Sequence, residues 1–299
     1  MRLPYRRFQG TQAKTRVKHA FLILAHHEFD LLRTLISCLD DARNDIYLHI
    51  DAKVPAIPVL KTEKASLHII AQRTDIRWGD CSMIEAEYAL FEKAASQGPY
   101  AYYHLLSGVD LPIKSQDDIH GFFDANAGRE FIGYSETNPD ELSRRMQLWH
   151  IFPRHFSRRR NLYSLPRSLC LRAQLLLGMR RNRDVVFKKG SQWISVTEKF
   201  ARYLLENKEW AMRTFPHTFV PDESLAQTLC WNSPFRDHLY STASDAEGCM
   251  RAIGWKDGHL EDWTREDSES LAASPAMFAR KFNSSDPEFI ERIVQMVKQ

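Results

Sequence analysis

Apolar runs of strand length alternate with segments of helical periodicity in the first half of the chain. Continuous apolar runs predict four buried strands, and a fifth strand is predicted at the end of this half. The five runs are "VKHAFLILAH", "DIYLHIDAK", "SLHIIAQ", "AYYHLLSG" and "REFIGYSE". Segments with helical spacing, such as "FDLLRTLISCLDD" and "SMIEAEYALFEKAA", separate the strands. This alternation predicts an α/β fold in which helices cover both faces of a mostly parallel sheet.

Capping residues mark several helix starts. Ser82 is the predicted cap of the second helix, and Ser115 with Asp118 resembles a capping box. In the less regular second half, "SQWISVTEKFARYLLEN" predicts a strand and a helix, and "PDESLAQTLC" predicts another helix. The terminal helix is expected to have Asp286 as its cap and Pro287 at its first position.

Polar residues cluster just after the predicted strands. They are His26, Asp51, Asp110 and Glu136. In open α/β sheets, ligands bind beyond the carboxyl ends of the strands. The sequence therefore predicts the functional site at that edge of the sheet.

Composition places the chain among globular proteins. It has 299 residues, of which 43% are hydrophobic and 26% charged. No linker is evident, so residues 1–299 are predicted to form a single domain with two functional halves. The sequence has no run of about 18 apolar residues, so no membrane-spanning helix is expected. No secretory signal is expected either. The five scattered cysteines lack a C-x-x-C pair, which predicts a reducing compartment without a disulfide framework or a cysteine zinc site.

Charge is unevenly distributed. Between Pro153 and Lys189 lie eleven Arg or Lys residues and one acid, Asp184. That segment carries +10, and because the whole chain carries +3, the rest carries −7. The eleven cations are Arg154, Arg158, Arg159, Arg160, Arg167, Arg172, Arg180, Arg181, Arg183, Lys188 and Lys189. A basic segment of this kind indicates contact with phosphate, nucleic acid or an anionic membrane.

Within this basic segment, "SLPRSLCLRAQLLLGMRR" has Leu and Cys on one side of a helix and Arg on the other. Two interpretations fit. It is a core helix with one solvated face, or it lies on an anionic membrane.

The chain has neither a Walker A motif nor G-x-G-x-x-G, so a phosphate-binding glycine loop is not predicted. Metal-dependent nucleotide-sugar enzymes usually carry D-x-D after a strand. Here that position is Asp51-Ala52-Lys53, with a lysine in place of the second acid. This lysine either meets a diphosphate directly or is a solvated loop residue. Four histidines, His26, His27, His49 and His104, lie in or at the ends of the predicted strands. Histidines in such positions satisfy hydrogen bonds more often than they bind metal.

Two adjacent carboxylates, Asp222 and Glu223, follow Pro221 in "FVPDESLAQTL". Negative charge in the first turn of a helix is stabilised by the helix dipole. The pair is therefore either an ordinary helix start or the location of a catalytic base.

Several segments together resemble one family, the core-2/I-branching β-1,6-N-acetylglucosaminyltransferases and peptide O-xylosyltransferases of glycosyltransferase family 14. They occur in family order from about residue 18 to residue 282. The segments are "AFLILAHHEFDLLRTLISCL", "IYLHIDAK", "RWGDCSMIEAE", "YYHLLSGVDLPIKS", "KKGSQWISVTEKFARYLLEN", "FVPDESLAQTL" and "MFARKF". The resemblance implies a GT-A-like nucleotide-sugar fold that works without the usual D-x-D metal.

The resemblance also implies roles for individual residues. Glu223 matches the family's catalytic base. The donor-binding positions are Ala25, His26, Asp51, Lys53, Asp80, Ser82 and Lys281, with Arg265 as the candidate for the family's diphosphate arginine. The acceptor positions are Glu136, Arg144, Arg145 and Trp255. Residues 17–136 would then form the nucleotide-sugar half, and residues 137–299 the acceptor and catalytic half.

The chain departs from the animal enzymes of this family in lacking their cysteine framework and in having a shorter stretch between Trp255 and Lys281. Because this stretch is shorter, no residue of the chain corresponds unambiguously to the family's diphosphate arginine.

The expected function is inverting, metal-independent transfer of GlcNAc or xylose from a UDP-sugar to a glycan hydroxyl, in bacterial surface polysaccharide or glycolipid synthesis. No metal or other cofactor is expected. The expected partners are the UDP-sugar, a glycan or lipid-linked glycan, and an anionic membrane surface, without nucleic acid. The expected location is cytoplasmic and peripheral on the inner membrane face.

Two other classes of function remain open. One is a metal-dependent hydrolase built from His26, His49, Asp51 and Asp110. The other is a nucleic-acid-binding protein that uses the basic segment, although the glycine and aromatic patterns of RNA modules are missing.

Overall fold

A computed structural model of the chain describes residues 17–157, 159–256 and 259–298. Its strands are β1 (His19–Ala25), β2 (Asn44–Ile50), β3 (Ser66–Ile69), β4 (Tyr102–Ser107), β5 (Leu111–Pro112), β6 (Ser195–Thr197), β7 (Arg251–Ile253), β8 (Trp255–Lys256), β9 (His259–Leu260) and β10 (Phe278–Arg280). Five of them form a central sheet in the order β3-β2-β1-β4-β6. The first four are parallel, and β6 pairs with β4 in the antiparallel direction.

Helices cover both faces of this sheet. The described helices are α1 (Phe29–Cys38), α2 (Ser82–Ala95), α3 (Gln116–Ala125), α4 (Pro139–Met146), α5 (Ser164–Leu176), α6 (Glu198–Glu206), α7 (Lys208–Thr214), α8 (Leu225–Trp231), α9 (Asp245–Cys249), α10 (Ser268–Ala273) and α11 (Pro287–Lys298), of which α2 and α6 cover one face of the sheet and α1, α3 and α11 the other. Side chains alternate across a strand, so Leu22 of β1 enters the core formed with α2 and α6, while Ile23 enters the core formed with α1, α3 and α11. The expected fold class, a mostly parallel sheet flanked by helices, is confirmed.

A second, three-stranded sheet lies beyond the carboxyl end of β4. Its order is β5-β10-β7, with β10 antiparallel to β5 and parallel to β7. The Phe282 amide donates to the Val109 carbonyl at 2.9 Å, and the Gly108 amide donates to the Leu24 carbonyl at 2.8 Å. These bonds hold the C-terminal segment close to the end of β1. Next to this sheet, β8 and β9 pair in the antiparallel direction.

The prediction of a fifth strand at "REFIGYSE" is wrong. Glu130 and Phe131 make only isolated bridges, to Leu239 and Ser195 respectively. The Phe131 and Ser195 backbones exchange two hydrogen bonds at 2.9 and 3.0 Å, after which the chain leaves the sheet. A short apolar run does not distinguish a strand from a buried irregular segment, and β6 supplies the fifth strand of the sheet.

The predicted caps have mixed outcomes. Ser82 is the first residue of α2 and not its cap; the cap position is Cys81, which makes no side-chain capping bond, and Asp80 Oδ1 accepts from the Ser82 amide at 2.8 Å. Ser115 does cap α3 through the Asp118 amide at 3.1 Å, although only this half of the predicted capping box forms. Asp286 caps α11 as predicted, accepting from the Phe289 amide at 3.0 Å.

The helix of the basic segment, α5, is not a core helix. Within α5 only Gln174 is buried. Its side chain accepts from the Trp149 amide at 2.7 Å and donates to the Trp149 carbonyl at 2.9 Å. Two hydrogen bonds to the Trp149 backbone therefore hold the helix in place, and most of its leucines remain at the surface.

Candidate active site

A pocket of about 600 Å³ lies between α4, α5 and the loop that precedes α8. Its lining includes Trp78, Arg144, Arg145, His150, Arg172 and Glu223. The structure thus brings the predicted base, Glu223, together with the two predicted acceptor arginines.

The turn that carries Glu223 is fixed by backbone bonds on both sides. Pro221–Glu223 forms a short 3-10 helix and α8 starts at Leu225, so the predicted single helix is interrupted here. The Val220 amide donates to the Gly79 carbonyl at 2.9 Å, and the Gly190 amide donates to the Glu223 carbonyl at 2.9 Å. The backbone that positions the carboxylate is therefore held from two distant parts of the chain.

Two cations contact the carboxylate of Glu223. Its Oε2 accepts from Arg145 Nη2 at 2.9 Å and lies 3.7 Å from Lys189 Nζ. The Glu223 side chain is 37% exposed, so the group remains open to the pocket. This geometry presents an oriented carboxylate to any molecule that enters.

Arg145 braces the same turn. Its side chain is only 11% exposed, and it also donates to the carbonyls of Phe219 and Val220, both at 3.3 Å. Its guanidinium lies over the Phe219 ring, 5.8 Å from the centroid. Arg144, by contrast, is exposed at the pocket. The two neighbouring arginines therefore differ: Arg145 supports the turn, and Arg144 is open to a ligand.

Asp222 is in a different environment from Glu223. Burial, and then the charge of Glu223, raise the pKa of Asp222 to about 7. The buried Glu87 carboxylate accepts from Gln192 Nε2 at 2.6 Å, and burial and the charge of Asp222 raise the Glu87 pKa. Asp222 thus interacts with a buried acid, while Glu223 lines the pocket.

At the predicted donor end, the expected residues meet at the carboxyl ends of β1 and β2. Ala25 is the last residue of β1, and its carbonyl accepts from the Asp51 amide at 3.0 Å. His26 is exposed and lies edge-on to His27, with ring centroids 4.1 Å apart. Partial desolvation of the ring by its surroundings, and then the charge of the neighbouring His27, lower the pKa of His26. A Cβ at Gly108 would lie 2.9 Å from the Ala25 Cβ, so this close approach requires glycine.

Lys53 is an exposed loop lysine whose ammonium is engaged in ion pairs. Its Nζ lies 2.6 Å from Asp51 Oδ2 and 3.1 Å from Asp75 Oδ1, and its amide donates to Asp51 Oδ1 at 2.8 Å. Asp51 is nearly fully buried, whereas the Lys53 side chain is 45% exposed. The Asp-x-Lys stretch therefore forms a rigid ion pair whose ammonium remains accessible.

Asp80 and Ser82 lie beside the Glu223 turn. Both are buried, and the Asp80 carboxylate accepts from the Ser82 hydroxyl and amide. Ser82 Oγ in turn accepts from the Arg77 amide at 2.7 Å. Since the Gly79 carbonyl accepts from the Val220 amide, this loop is joined to the Glu223 turn.

Lys281 is held near the end of β1 by the second sheet. Its Nζ lies 2.5 Å from Asp262 Oδ1, and its side chain is 34% exposed. The Nε of the preceding residue, Arg280, lies 3.4 Å from Oδ1 of the buried Asp110, and the Arg280 side chain is 14% exposed. A diphosphate would have to compete with Asp262 for the Lys281 ammonium.

Ten of the thirteen predicted site residues lie outside the lining of the Glu223 pocket, namely all eight donor-binding residues and the acceptor residues Glu136 and Trp255. Arg265 is exposed and forms ion pairs with Asp286 and Glu288 at the start of α11. Glu136 is exposed on the segment after Phe131, and Trp255 is 62% exposed on β8. A substrate that contacts Arg265, Glu136 or Trp255 would therefore have to extend beyond this pocket.

Sequence reasoning missed several residues of the site, namely Lys189, which contacts Glu223, and a number of residues that line the pocket. Lys189, Trp78 and His150 were not assigned to the site, and α5 contributes a set of lining residues, Ser168, Leu171, Arg172 and Leu175. Lys189 lies in the "KKGSQW" stretch of the family resemblance, which was the available signal.

The side chains proposed for a hydrolase are engaged elsewhere. His49 Nε2 accepts from the Thr74 amide at 2.9 Å, and Asp110 Oδ2 accepts from the Ser107 amide at 2.9 Å. Within residues 17–157, 159–256 and 259–298, no group of three or more His, Cys, Asp or Glu side chains is placed to hold a metal ion.

Over that part of the chain, no helix combines the length and apolar character needed to cross a membrane.

Comparison with known proteins gives the class. The family model described as Core-2/I-branching enzyme matches residues 19–294, so the chain belongs to the Core-2/I-branching enzyme family. The chain is similar to xylosyltransferase sqv-6 of Caenorhabditis briggsae, with 22% identity over 277 residues, which is 83% of this chain and 33% of that protein. It is also similar to xylosyltransferase 1 of Rattus norvegicus, with 21% identity over 292 residues, 90% of this chain and 34% of that protein.

The chain spans about a third of the length of these curated relatives. Among solved structures, it is similar to the apo form of mouse xyloside xylosyltransferase 1, with 10% identity and a TM-score of 0.39. That match covers 88% of this chain and 97% of the mouse chain.

Proposed function

We propose that the chain is a glycosyltransferase that moves a sugar from a UDP-sugar to a hydroxyl of a glycan acceptor. The observation that carries this proposal is the pocket position of Glu223, whose carboxylate is held by Arg145 at 2.9 Å. Membership of the Core-2/I-branching enzyme family supports the reaction class. The names of the relatives support xylose as the first donor sugar to test, with GlcNAc as the second.

In the proposed reaction, Glu223 takes the proton of the acceptor hydroxyl as its oxygen attacks the anomeric carbon. The bond from that carbon to the diphosphate oxygen breaks, and UDP leaves with the electron pair. A single in-line displacement turns an α-linked donor into a β-linked product. General-base catalysis of this kind contributes about 10²–10⁴-fold to the rate.

Cationic side chains stabilise the leaving diphosphate in this proposal. Lys53 and Lys281 are partly exposed and lie at the carboxyl-terminal side of β2 and next to β10. Fixed positive charge aimed at the leaving group lowers the barrier because charge develops there in the transition state. Asp51, Ala25 and His26 would contact the uridine and ribose, and the Asp80–Ser82 loop would lie beside the donor sugar. Arg265 would assist the lysines only after release from its acidic partners.

The acceptor would enter the pocket beside Glu223. Arg144 and Arg172 are exposed cations in its lining, and Glu136 and Trp255 would meet the more distant part of a longer glycan. We propose a glycan or lipid-linked glycan of bacterial surface polysaccharide or glycolipid synthesis as the acceptor. The work would take place in the cytoplasm, at the inner membrane face, without a metal or other cofactor.

A donor screen tests the proposal. The purified chain is incubated with UDP-xylose, UDP-GlcNAc and other UDP-sugars, with and without candidate glycans, and released UDP is measured. Acceptor-dependent release with one donor, abolished in Glu223→Gln, is the expected result. Equal release from wild type and Glu223→Gln would refute the assigned site.

A further inference from the structure

An apolar stripe lies on the solvent side of α5. Leu165, Leu169 and Leu176 follow one another at intervals of four and seven residues, so they share one face of the helix. They are 69%, 55% and 88% exposed. Leu162 and Leu177, on either side, are also exposed. Apolar side chains that adjoin in this way indicate an interaction surface.

Cations border this stripe. The neighbouring exposed or half-exposed cations are Arg159, Arg160, Arg172, Arg180 and Arg183. Among the described cations of the basic segment, only Arg154 and Lys189 form ion pairs with carboxylates, namely with Asp75 and Glu223. The other described cations of the segment therefore make no ion pair with the acidic remainder of the chain.

Another side of the same helix belongs to the Glu223 pocket. Ser168, Leu171, Arg172 and Leu175 line that pocket. Ser168 and Arg172 adjoin the leucine stripe on the helix surface, since Ser168 stands three residues after Leu165 and Arg172 three residues after Leu169. The mouth of the pocket and the stripe are thus neighbouring surfaces of one element.

We propose that α5 seats the protein on an anionic lipid bilayer, with the leucine stripe in the interface and the flanking arginines among the headgroups. Arginines around exposed leucines are the composition that binds the surface of such bilayers. A second copy of this chain fits less well, because two such faces would bring arginine against arginine. Resting on the proposed function, this arrangement places the acceptor pocket at the membrane surface, where it takes an acceptor carried by a lipid.

Vesicle flotation tests the docking directly. The full chain is mixed at low salt with phosphatidylcholine vesicles that contain or lack phosphatidylglycerol. We expect it to float with the anionic vesicles only and to be released by salt. The triple variant Leu165→Ser, Leu169→Ser and Leu176→Ser should bind at least about tenfold more weakly. Val59→Ser, at an exposed apolar position on another segment, is the matched control and should bind like wild type.

The outcomes separate the two proposals. The triple variant should release UDP with a soluble acceptor at the wild-type rate, because its three leucines do not line the pocket. Wild type that stays soluble beside anionic vesicles overturns the docking, as does a triple variant that floats like wild type. A leucine-dependent dimer in light scattering also overturns it. A chain that floats as expected but releases UDP from no donor supports the docking and refutes the proposed function.

Discussion

Arg145 and Glu223, which lie 78 residues apart in the chain, are joined by a hydrogen bond of 2.9 Å between Nη2 and Oε2. Arg145 also holds the carbonyls of Phe219 and Val220, which precede the same turn. One guanidinium therefore fixes both the backbone and the side chain of the proposed base. Because it occupies a single carboxylate oxygen, the other remains for a proton from the acceptor.

Glu223→Gln should lower the transfer rate by at least about a hundredfold, the low end for loss of a general base. The amide keeps the size of the side chain and still accepts from Arg145, so the fold and donor binding should remain. Steady-state kinetics and a donor-binding measurement check this expectation.

Asp222→Asn is the matched control for that variant. Asp222 is next in sequence, but it interacts with buried Glu87 and has a pKa raised to about 7 by burial and by the charge of Glu223. We expect it to retain most of the activity. If Asp222→Asn is inactive and Glu223→Gln turns over normally, the base is Asp222.

Arg145→Ala should lower kcat by about a hundredfold, because an unbraced carboxylate loses its alignment with the acceptor. The donor KM should change little, since Arg145 contacts no proposed donor residue. Arg145→Lys should recover only part of the rate, because an ammonium cannot reproduce the planar set of guanidinium donors. Arg213→Ala, an exposed arginine on α7, is the control. An unchanged kcat in Arg145→Ala would show that the ion pair has no role in the reaction.

Strands β1, β2 and β4 of the central sheet could be predicted from sequence because they are buried and appear as continuous apolar runs. The second sheet could not, because β5, β7 and β10 have only two or three residues each, too few for a periodic pattern. α4 was also missed. Its sequence, "PDELSRRM", is mostly polar, and only Met146 is buried.

The site was partly predictable for a related reason. Residues near strand ends, such as Asp51 and Lys53, lie close in sequence, and local spacing indicates their contact. The pairing of Arg145 with Glu223 depends on how α4 packs against the turn before α8, which no local pattern encodes. The role of α5 in the pocket was hidden by its amphipathic sequence, which suits a core helix equally well.

Activity should persist in excess EDTA. The chain has Lys53 in place of the second acid of D-x-D, and Lys53 and Lys281 are the cations proposed to meet the diphosphate. UDP release should be equal in EDTA and in added manganese. A known manganese-dependent glycosyltransferase assayed in parallel shows that chelation is effective. Loss of activity in EDTA, restored by manganese, would contradict the metal-free mechanism.

A buried histidine pair should make the fold sensitive to acid. His104 Nε2 lies 3.0 Å from His19 Nδ1, and His104 Nδ1 lies 2.8 Å from Ser195 Oγ. The same hydroxyl accepts from the buried Arg251 at 2.9 Å. Burial, followed by the neighbouring charges, lowers the pKa of both histidines well below 6.5. Both are therefore neutral in the folded protein, and protonation there would place a cation beside Arg251.

The sign of the effect follows from proton binding. Below about pH 6.5 the unfolded chain takes up protons on these histidines and the folded chain does not, so stability is full above that pH and falls as pH decreases. Each histidine contributes a slope of up to about 1.4 kcal/mol per pH unit. Glu130 acts in the opposite direction, because burial raises its pKa to about 7 and its neutral form favours the folded state at lower pH. The measurement must therefore compare variants.

Urea unfolding of wild type and His104→Gln at a series of pH values from about 5 to about 8 isolates the histidine contribution. The variant should be less stable at neutral pH, because it disturbs a buried hydrogen-bond network. Below about pH 6.5, its free energy of unfolding should fall less steeply than that of wild type, by about 1.4 kcal/mol per pH unit at most. His238→Gln, at an exposed position, serves as the control and should parallel wild type. Parallel curves for wild type and His104→Gln would show that His104 binds its proton equally in the folded and unfolded states.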